Sequence, residues 1–253
     1  MSASRPLLNS QDLTVHMTPT IKAILFDKDG TLLDFDATWS RPQERAADYA
    51  ANGDPDLGIR LLKTGGMDPQ TRKTAAGSLF AAGNAEEIAR AFIDAGAPKD
   101  LASLTAKLDA VFADGMKTAV VLPGLTEAVA RLDEAGFHLG VASSDSEGSI
   151  RLFLGHAGLD RHMQFVAGYD SGYGPKPEPG MVHAFADALR LPVSSIAMVG
   201  DNTHDLEMAR AAGAGLAAGI LSGTGTRADL EPLADVILDS VADLPDYLST
   251  NKI

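Results

Sequence analysis

Cysteine is absent from all 253 residues. Disulfides and thiolate metal sites are thereby excluded, and the chain fits a reducing compartment, with the cytoplasm as the expected location. Basic residues are also scarce, with 21 Lys and Arg against 34 Asp and Glu, for a formal net charge of -13. A nucleic-acid-binding surface needs a basic face, so that class of partner is not expected. An anionic substrate is not excluded, because one metal ion and a few cations reverse a local field. No apolar run approaches the length of a membrane-spanning helix, so no membrane partner is expected either. Met1 to His16 are polar and lack the apolar core of a secretory signal. They read as a loose extension over residues 1–20, with Met17 as an alternative natural start. Tryptophan occurs once, at Trp39.

What is present is an ordinary globular composition, 45% hydrophobic and 22% charged, long enough for one sizeable domain or for a domain plus an insertion. Short apolar runs recur at Ala23–Phe26, Leu139–Ala142, Phe165–Ala167, Ile196–Val199, Gly215–Ile220 and Asp235–Leu238. Helix-like segments fall between them, at about Gly148–His156, Pro179–Arg190 and Leu206–Ala212. Strands alternating with helical patterns imply βαβ units and a parallel sheet with right-handed crossovers. Residues 34–117 differ in texture, being rich in Ala, Glu, Arg, Lys and Gln without a convincing strand. Helices are expected there at Arg45–Ala51, Thr71–Ala81, Glu86–Ala95 and Leu101–Met116, with Asn84 as an N-cap and Gly96 as a stop. The fold class expected is α/β: a Rossmann-like, doubly wound parallel sheet formed by residues 21–33 and 118–253, with an inserted all-helical cap over 34–117.

Four polar clusters stand where apolar runs end. The first is Asp27-Lys28-Asp29-Gly30-Thr31, directly after Phe26. In an open parallel sheet ligands bind beyond the carboxyl ends of the strands. Two Asp at a spacing of two leave the strand on the same side, close enough to share one metal ion and one substrate. Asp-Gly is also a common turn dipeptide. The second cluster is Ser143-Ser144-Asp145, whose hydroxyl suits a phosphate oxygen, although Ser and Asp are equally common caps. Lys176, between Pro175 and Pro177, is the third: a rigidly aimed ammonium, or else an ordinary surface charge. The fourth is Gly200-Asp201 with Asp205 one helical turn on, where Asp201 serves either as a site residue or as an N-cap. His204, between those acids, is expected to point elsewhere and to be structural. Carboxylates gathered in this way repel unless a divalent cation joins them, and all-oxygen ligation with room for phosphate suits Mg²⁺.

The ordered set Asp27-Lys28-Asp29-Gly30-Thr31, Ser143, Lys176 and Gly200-Asp201 to Asp205 resembles the haloacid dehalogenase superfamily, in its phosphatase branch with a helical cap. Within that branch the chain is similar to the phosphoglycolate phosphatases, the Leu122-Pro123-Gly124 entry to the core included. The resemblance spans Ile21 to Leu248. It implies a phosphoric monoester hydrolase in which Asp27 attacks phosphorus, Asp29 acts as general acid and base, and Lys176 and Ser143 bind the phosphoryl group. It further implies Mg²⁺ held by Asp27, Asp201 and the backbone carbonyl of Asp29, with Asp205 supporting the metal or Lys176. The partner implied is a small phosphorylated metabolite. A dehalogenase and a phosphonate hydrolase fit less well, because Asp29 and Asp201 are both present. A sugar-phosphate mutase shares these residues and stays open, as does a catalytically silent regulatory member. Arg41, Arg45, Arg72 and Lys73 are candidates for meeting an anionic substrate, each otherwise an exposed helix charge. Trp39 is read as packing near the hinge.

Overall fold

Alternation within each strand decides the architecture. In β1 (Ala23–Phe26), Ile24 and Phe26 enter one apolar core while Ala23 and Leu25 enter another. In β4 (Ile196–Gly200), Ala197 and Val199 join the first core, and Ile196 and Met198 the second. Strands apolar on both faces need cover on both, which parallel crossovers provide. The remaining strands are β2 (His138–Ala142), β3 (Met163–Ala167), β5 (Leu216–Ile220) and β6 (Val236–Leu238). All pair in parallel in the order β3-β2-β1-β4-β5-β6. This is the α/β, Rossmann-like, doubly wound order, and its topological switch point lies between β1 and β4. The computed structural model describes residues 20–251. The extension expected over residues 1–20 therefore lies, Thr20 apart, outside the described residues.

Five helices fill the stretch between β1 and the next core helix: α1 (Phe35–Ala51), α2 (Pro55–Gly65), α3 (Leu79–Ala82), α4 (Ala85–Asp94) and α5 (Leu101–Gly115). The core helices follow as α6 (Leu125–Glu134), α7 (Glu147–Ala157), α8 (Gly180–Leu189), α9 (Thr203–Ala212), α10 (Arg227–Leu230) and α11 (Leu244–Asn251). Helices α6, α7 and α11 place Val129, Phe153 and Leu244 in the first core, whereas α8 and α9 place Phe185 and Met208 in the second.

The insertion is helical, but its helices differ from the expected ones in three ways. α1 starts ten residues before Arg45, because Asp34 caps it by accepting from the N–H of Ala37. Pro42 lies inside it without breaking it. The segment expected to be helical over Thr71–Ala81 is mostly a loop, with helix only at Leu79–Ala82. Arg72 and Gly77 take φ of 60° and 63°, which no right-handed helix accommodates. Thr74 is drawn away instead: its N–H donates to Asp36, its hydroxyl donates to Gln43, and it bridges Met67. Ala-rich propensity thus yields to side-chain contacts with α1. α2 in the insertion, and α6, α10 and α11 in the core, lie outside the expected helices, although Asp54 and Pro55 form an N-cap and first-turn proline pair for α2. Asn84 does cap α4, in a reciprocal box with Glu87.

Helix α2 packs closely on α3. A Cβ at Gly65 would stand 2.1 Å from the Phe80 ring. Gly65→Ala should therefore lower stability by about 1–3 kcal/mol through overpacking, measured by denaturant unfolding; an unchanged midpoint would mean that Phe80 moves aside freely.

Candidate active site

Asp27 leaves the end of β1 with its N–H donating to the Val199 carbonyl of β4 at 2.8 Å. Phe26 pairs with Val199 in register, so Asp201 leaves β4 at nearly the same level, across the switch point. The turns permit close approach. A Cβ at Gly200 would lie 2.2 Å from Asp205 Oδ2, and one at Gly30, whose φ is 82°, would lie 2.6 Å from Asp201 Oδ2. The cap of α9 is Asn202 and not Asp201, since the Asn202 side chain accepts from the His204 N–H and Asp205 reaches back to the Asn202 N–H at 3.1 Å. Asp201 is thereby free of capping duty. Its Oδ2 accepts from the Thr224 N–H at 2.8 Å, from the loop after β5.

Lys176 joins this group. Its ammonium donates to Asp27 Oδ1 at 2.5 Å and to Asp205 Oδ1 at 2.6 Å. Asp27, Asp201 and Asp205 are all buried. Burial raises the Asp27 carboxyl to about 6; Lys176 opposes the rise and the Asp205 charge adds to it. Asp201 is pushed well up by burial and then by Asp27 and Asp205. Burial pulls Lys176 down, but Asp205 and Asp27 more than offset it, and the lysine is held above its ordinary value.

Asp29 faces a second group. Its Oδ1 accepts from the Trp39 indole N–H at 2.5 Å, and Lys28 Nζ stands 3.1 Å away. The Ser143 hydroxyl reaches Asp29 Oδ2 at 3.4 Å while accepting from the Asp145 N–H. Lys28, 0% exposed, donates to Asp145 Oδ2 at 2.7 Å and lies 4.9 Å from the Trp39 ring centroid. Burial raises Asp29 to about 6, with Lys28 lowering it and the Asp145 and Asp27 charges raising it. Lys28 is held above its ordinary value, because Asp145 and Asp29 outweigh the effect of burial.

Asp27, Asp201 and Asp205 each offer an oxygen within 4.8 Å of the others, a buried all-oxygen set able to hold a metal ion. Among the described residues Lys176 is the one cation paired with this group, through Asp27 and Asp205, so a divalent cation suits the charge as well as the donor type. The Asp29 carboxylate lies outside this set, turned toward Trp39, Lys28 and Ser143.

One cavity brings together Asp27, Asp29, Ser143, Lys176, Asp201 and Asp205. His204 lines it too, as does Asn202. The expectation that His204 points elsewhere is therefore corrected: the first turn of α9 rises from the strand end and faces the insertion, where Ala81 and Ala82 form the opposite wall. The cation candidates lie elsewhere. Arg41, Arg72 and Lys73 surround a separate surface hollow, Arg72 pairs with Glu44, and Arg45 pairs with Asp114. Sequence reasoning missed Trp39 as a partner of Asp29 and Lys28–Asp145 as a buried pair. Its position between two acids was the only signal for Lys28.

The haloacid dehalogenase-like hydrolase profile matches residues 21–213. The chain is 30% identical over 233 residues to the phosphoglycolate phosphatase of Rhodospirillum rubrum, covering 90% of each protein. It is 32% identical over 124 residues to the pyrophosphatase PpaX of Listeria monocytogenes, a match spanning 48% of this chain and 56% of that protein. Among solved structures, a hydrolase from Pseudomonas syringae superposes with a TM-score of 0.69 at 22% identity, covering 91% of this chain and 98% of that one. CbbY from Rhodobacter sphaeroides, solved with phosphate, superposes with a TM-score of 0.67 at 24% identity, covering 89% and 96%. The chain belongs to the haloacid dehalogenase-like hydrolases. It is a phosphoric monoester hydrolase of that family, with a phosphoglycolate phosphatase homologue.

Lys28→Met would leave Asp145 buried without its counter-charge. Stability should fall by about 3–5 kcal/mol, read from guanidinium unfolding, and adding Asp145→Asn should recover part of it. A loss below about 1 kcal/mol would place the pair in the class of weak surface bridges.

Proposed function

We propose that this protein is a Mg²⁺-dependent phosphatase that hydrolyses a small phosphomonoester through an aspartyl-phosphate on Asp27. The observation that carries this reading is Lys176 spanning Asp27 and Asp205 beside Asp201, at the switch point of the sheet. A carboxylate at such a place, aimed by a fixed ammonium, is a nucleophile already positioned for in-line attack. Asp27 attacks phosphorus as the bond to the leaving oxygen breaks. Asp29 donates its proton to the departing alkoxide and then takes one from the water that hydrolyses the acyl phosphate. A carboxyl raised to about 6 suits that double role near neutral pH.

Lys176 and Ser143 bind the phosphoryl oxygens, and Asp205 holds Lys176 in place. The Mg²⁺ site consists of Asp27 and Asp201, with the Asp29 carbonyl as the family resemblance implies. When bound, the ion neutralises phosphoryl charge and lets Asp27 stay ionised beside other acids. Residues 34–117 act as the cap that closes over the leaving group, on a core of residues 21–33 and 118 onward. The Rhodospirillum relative is a phosphoglycolate phosphatase, which makes phosphoglycolate one of the small phosphomonoesters to test.

Phosphate release from an aryl phosphate, with Mg²⁺ and then with a chelator, tests the reading. Asp27→Asn should reduce turnover by roughly four orders of magnitude or more with the fold intact by circular dichroism; a variant that keeps most of its rate without deamidating would remove Asp27 as nucleophile. Asp29→Asn should slow alkyl esters by roughly 10²–10⁴-fold and slow aryl esters, whose phenolate needs little protonation, much less. Equal slowing of both, with no phosphorylated protein detectable by mass, would take Asp29 out of acid–base chemistry.

A further inference from the structure

A second cavity adjoins the phosphoryl site and shares Asp29, Ala81 and Ser144 with it. The space it leaves for the centres of water-sized spheres is about 50 Å³, and it opens to solvent. Because Asp29 stands on the border of both, the group leaving phosphorus toward Asp29 enters this second space. Its walls are Phe35 and Trp39 of α1, Phe80 of α3, Ile88 of α4 and Phe112 of α5, with Trp39 and Phe112 meeting edge to face at 5.3 Å.

No basic side chain lines this space among the described residues, whereas the carboxylates of Asp29 and Asp145 do. Lys28 is the cation behind it, and it is fully buried and committed to those two acids. A carboxylate or second phosphate on the leaving group would be desolvated among aromatic rings beside two acids, with no counter-charge to meet it. An apolar body meets no such penalty.

Two neutral polar residues, Ser144 and Gln43, line the space, and Gln43 stands among the aromatic walls. Gln43, 2% exposed, accepts from the Thr74 hydroxyl through Oε1 at 3.0 Å. No described residue accepts from its amide nitrogen, so a wall residue keeps a donor for a group bound in the cavity.

We infer that the leaving group is an uncharged, largely apolar alcohol or phenol carrying a hydrogen-bond acceptor for Gln43, and that anionic leaving groups such as glycolate are poor. This inference rests on the phosphatase reading and names its substrate class. Buried walls of this kind set selectivity through the group they leave unpaired.

Steady-state kinetics with Mg²⁺ on benzyl phosphate, para-carboxybenzyl phosphate and phosphoglycolate tests it. All three lose an alkoxide, so the comparison isolates charge and shape of the leaving group. Benzyl phosphate should exceed both carboxylated esters in kcat/KM by roughly tenfold or more. Gln43→Arg, which sets a cation in the wall, should raise phosphoglycolate relative to benzyl phosphate by a similar factor, with melting temperature as the check on folding. Turnover of the carboxylated esters equal to or faster than that of benzyl phosphate would overturn the inference and leave the phosphatase reading standing. No phosphate release from these esters or from para-nitrophenyl phosphate would overturn the phosphatase reading itself.

Discussion

Charge balance at the carboxyl edge of the sheet governs the rest of the molecule. Asp27, Asp29, Asp145, Asp201 and Asp205 crowd one region with Lys28 and Lys176 as their buried cations. Like charges at such separations repel far more strongly in a protein interior than in water. The fold resolves the problem by giving each lysine two acids. Lys176 spans Asp27 and Asp205, and Lys28 spans Asp29 and Asp145. Among the described residues Asp201 has no lysine of its own, and its carboxylate accepts from the Thr224 N–H and hydroxyl. The residual negative charge thus collects around Asp201 and Asp27, where a divalent cation fits by both charge and donor type.

That partition also separates two acids only two residues apart. Asp27 and Asp29 are both raised to about 6 by burial, yet their partners differ. Asp27 lies against an ammonium and the metal-competent acids, an environment that favours the ionised form once a cation is bound. Asp29 meets Trp39, Ser143 and the shared Lys28, and it borders the space into which a leaving group would project. Environments that diverge in this way are how paired carboxyls come to hold opposite proton states.

Trp39 ties the insertion to this arrangement. Its indole N–H holds Asp29, its ring lies beside the Lys28 ammonium, and its edge meets Phe112 of α5. One side chain therefore links the acid, the buried ion pair and the apolar wall of the second cavity. The insertion buries Trp39, Phe80 and Phe112 and turns Arg72 and Arg45 outward, into pairs with Glu44 and Asp114.

The amino-acid sequence by itself determined the strand pattern, the parallel α/β class, the helical character of the insertion and the acids at the strand ends, because each is a local matter. Short continuous apolar runs specify strands buried on both faces, and the residues that end them must emerge at the carboxyl edge. What only the tertiary structure decided depends on elements far apart in the chain. Ala-rich propensity around Thr71–Ala81 gave way to contacts of Thr74 with α1. The Asn202–Asp205 capping box, and not Asp201, took up the start of α9, and its first turn put His204 in the cavity wall. Lys28 found Asp145 across 117 positions, and Trp39 found Asp29 through the path of α1. Spacing records which residues share a strand or a helix face; which charge meets which is settled by packing, where burial makes every unpaired group costly.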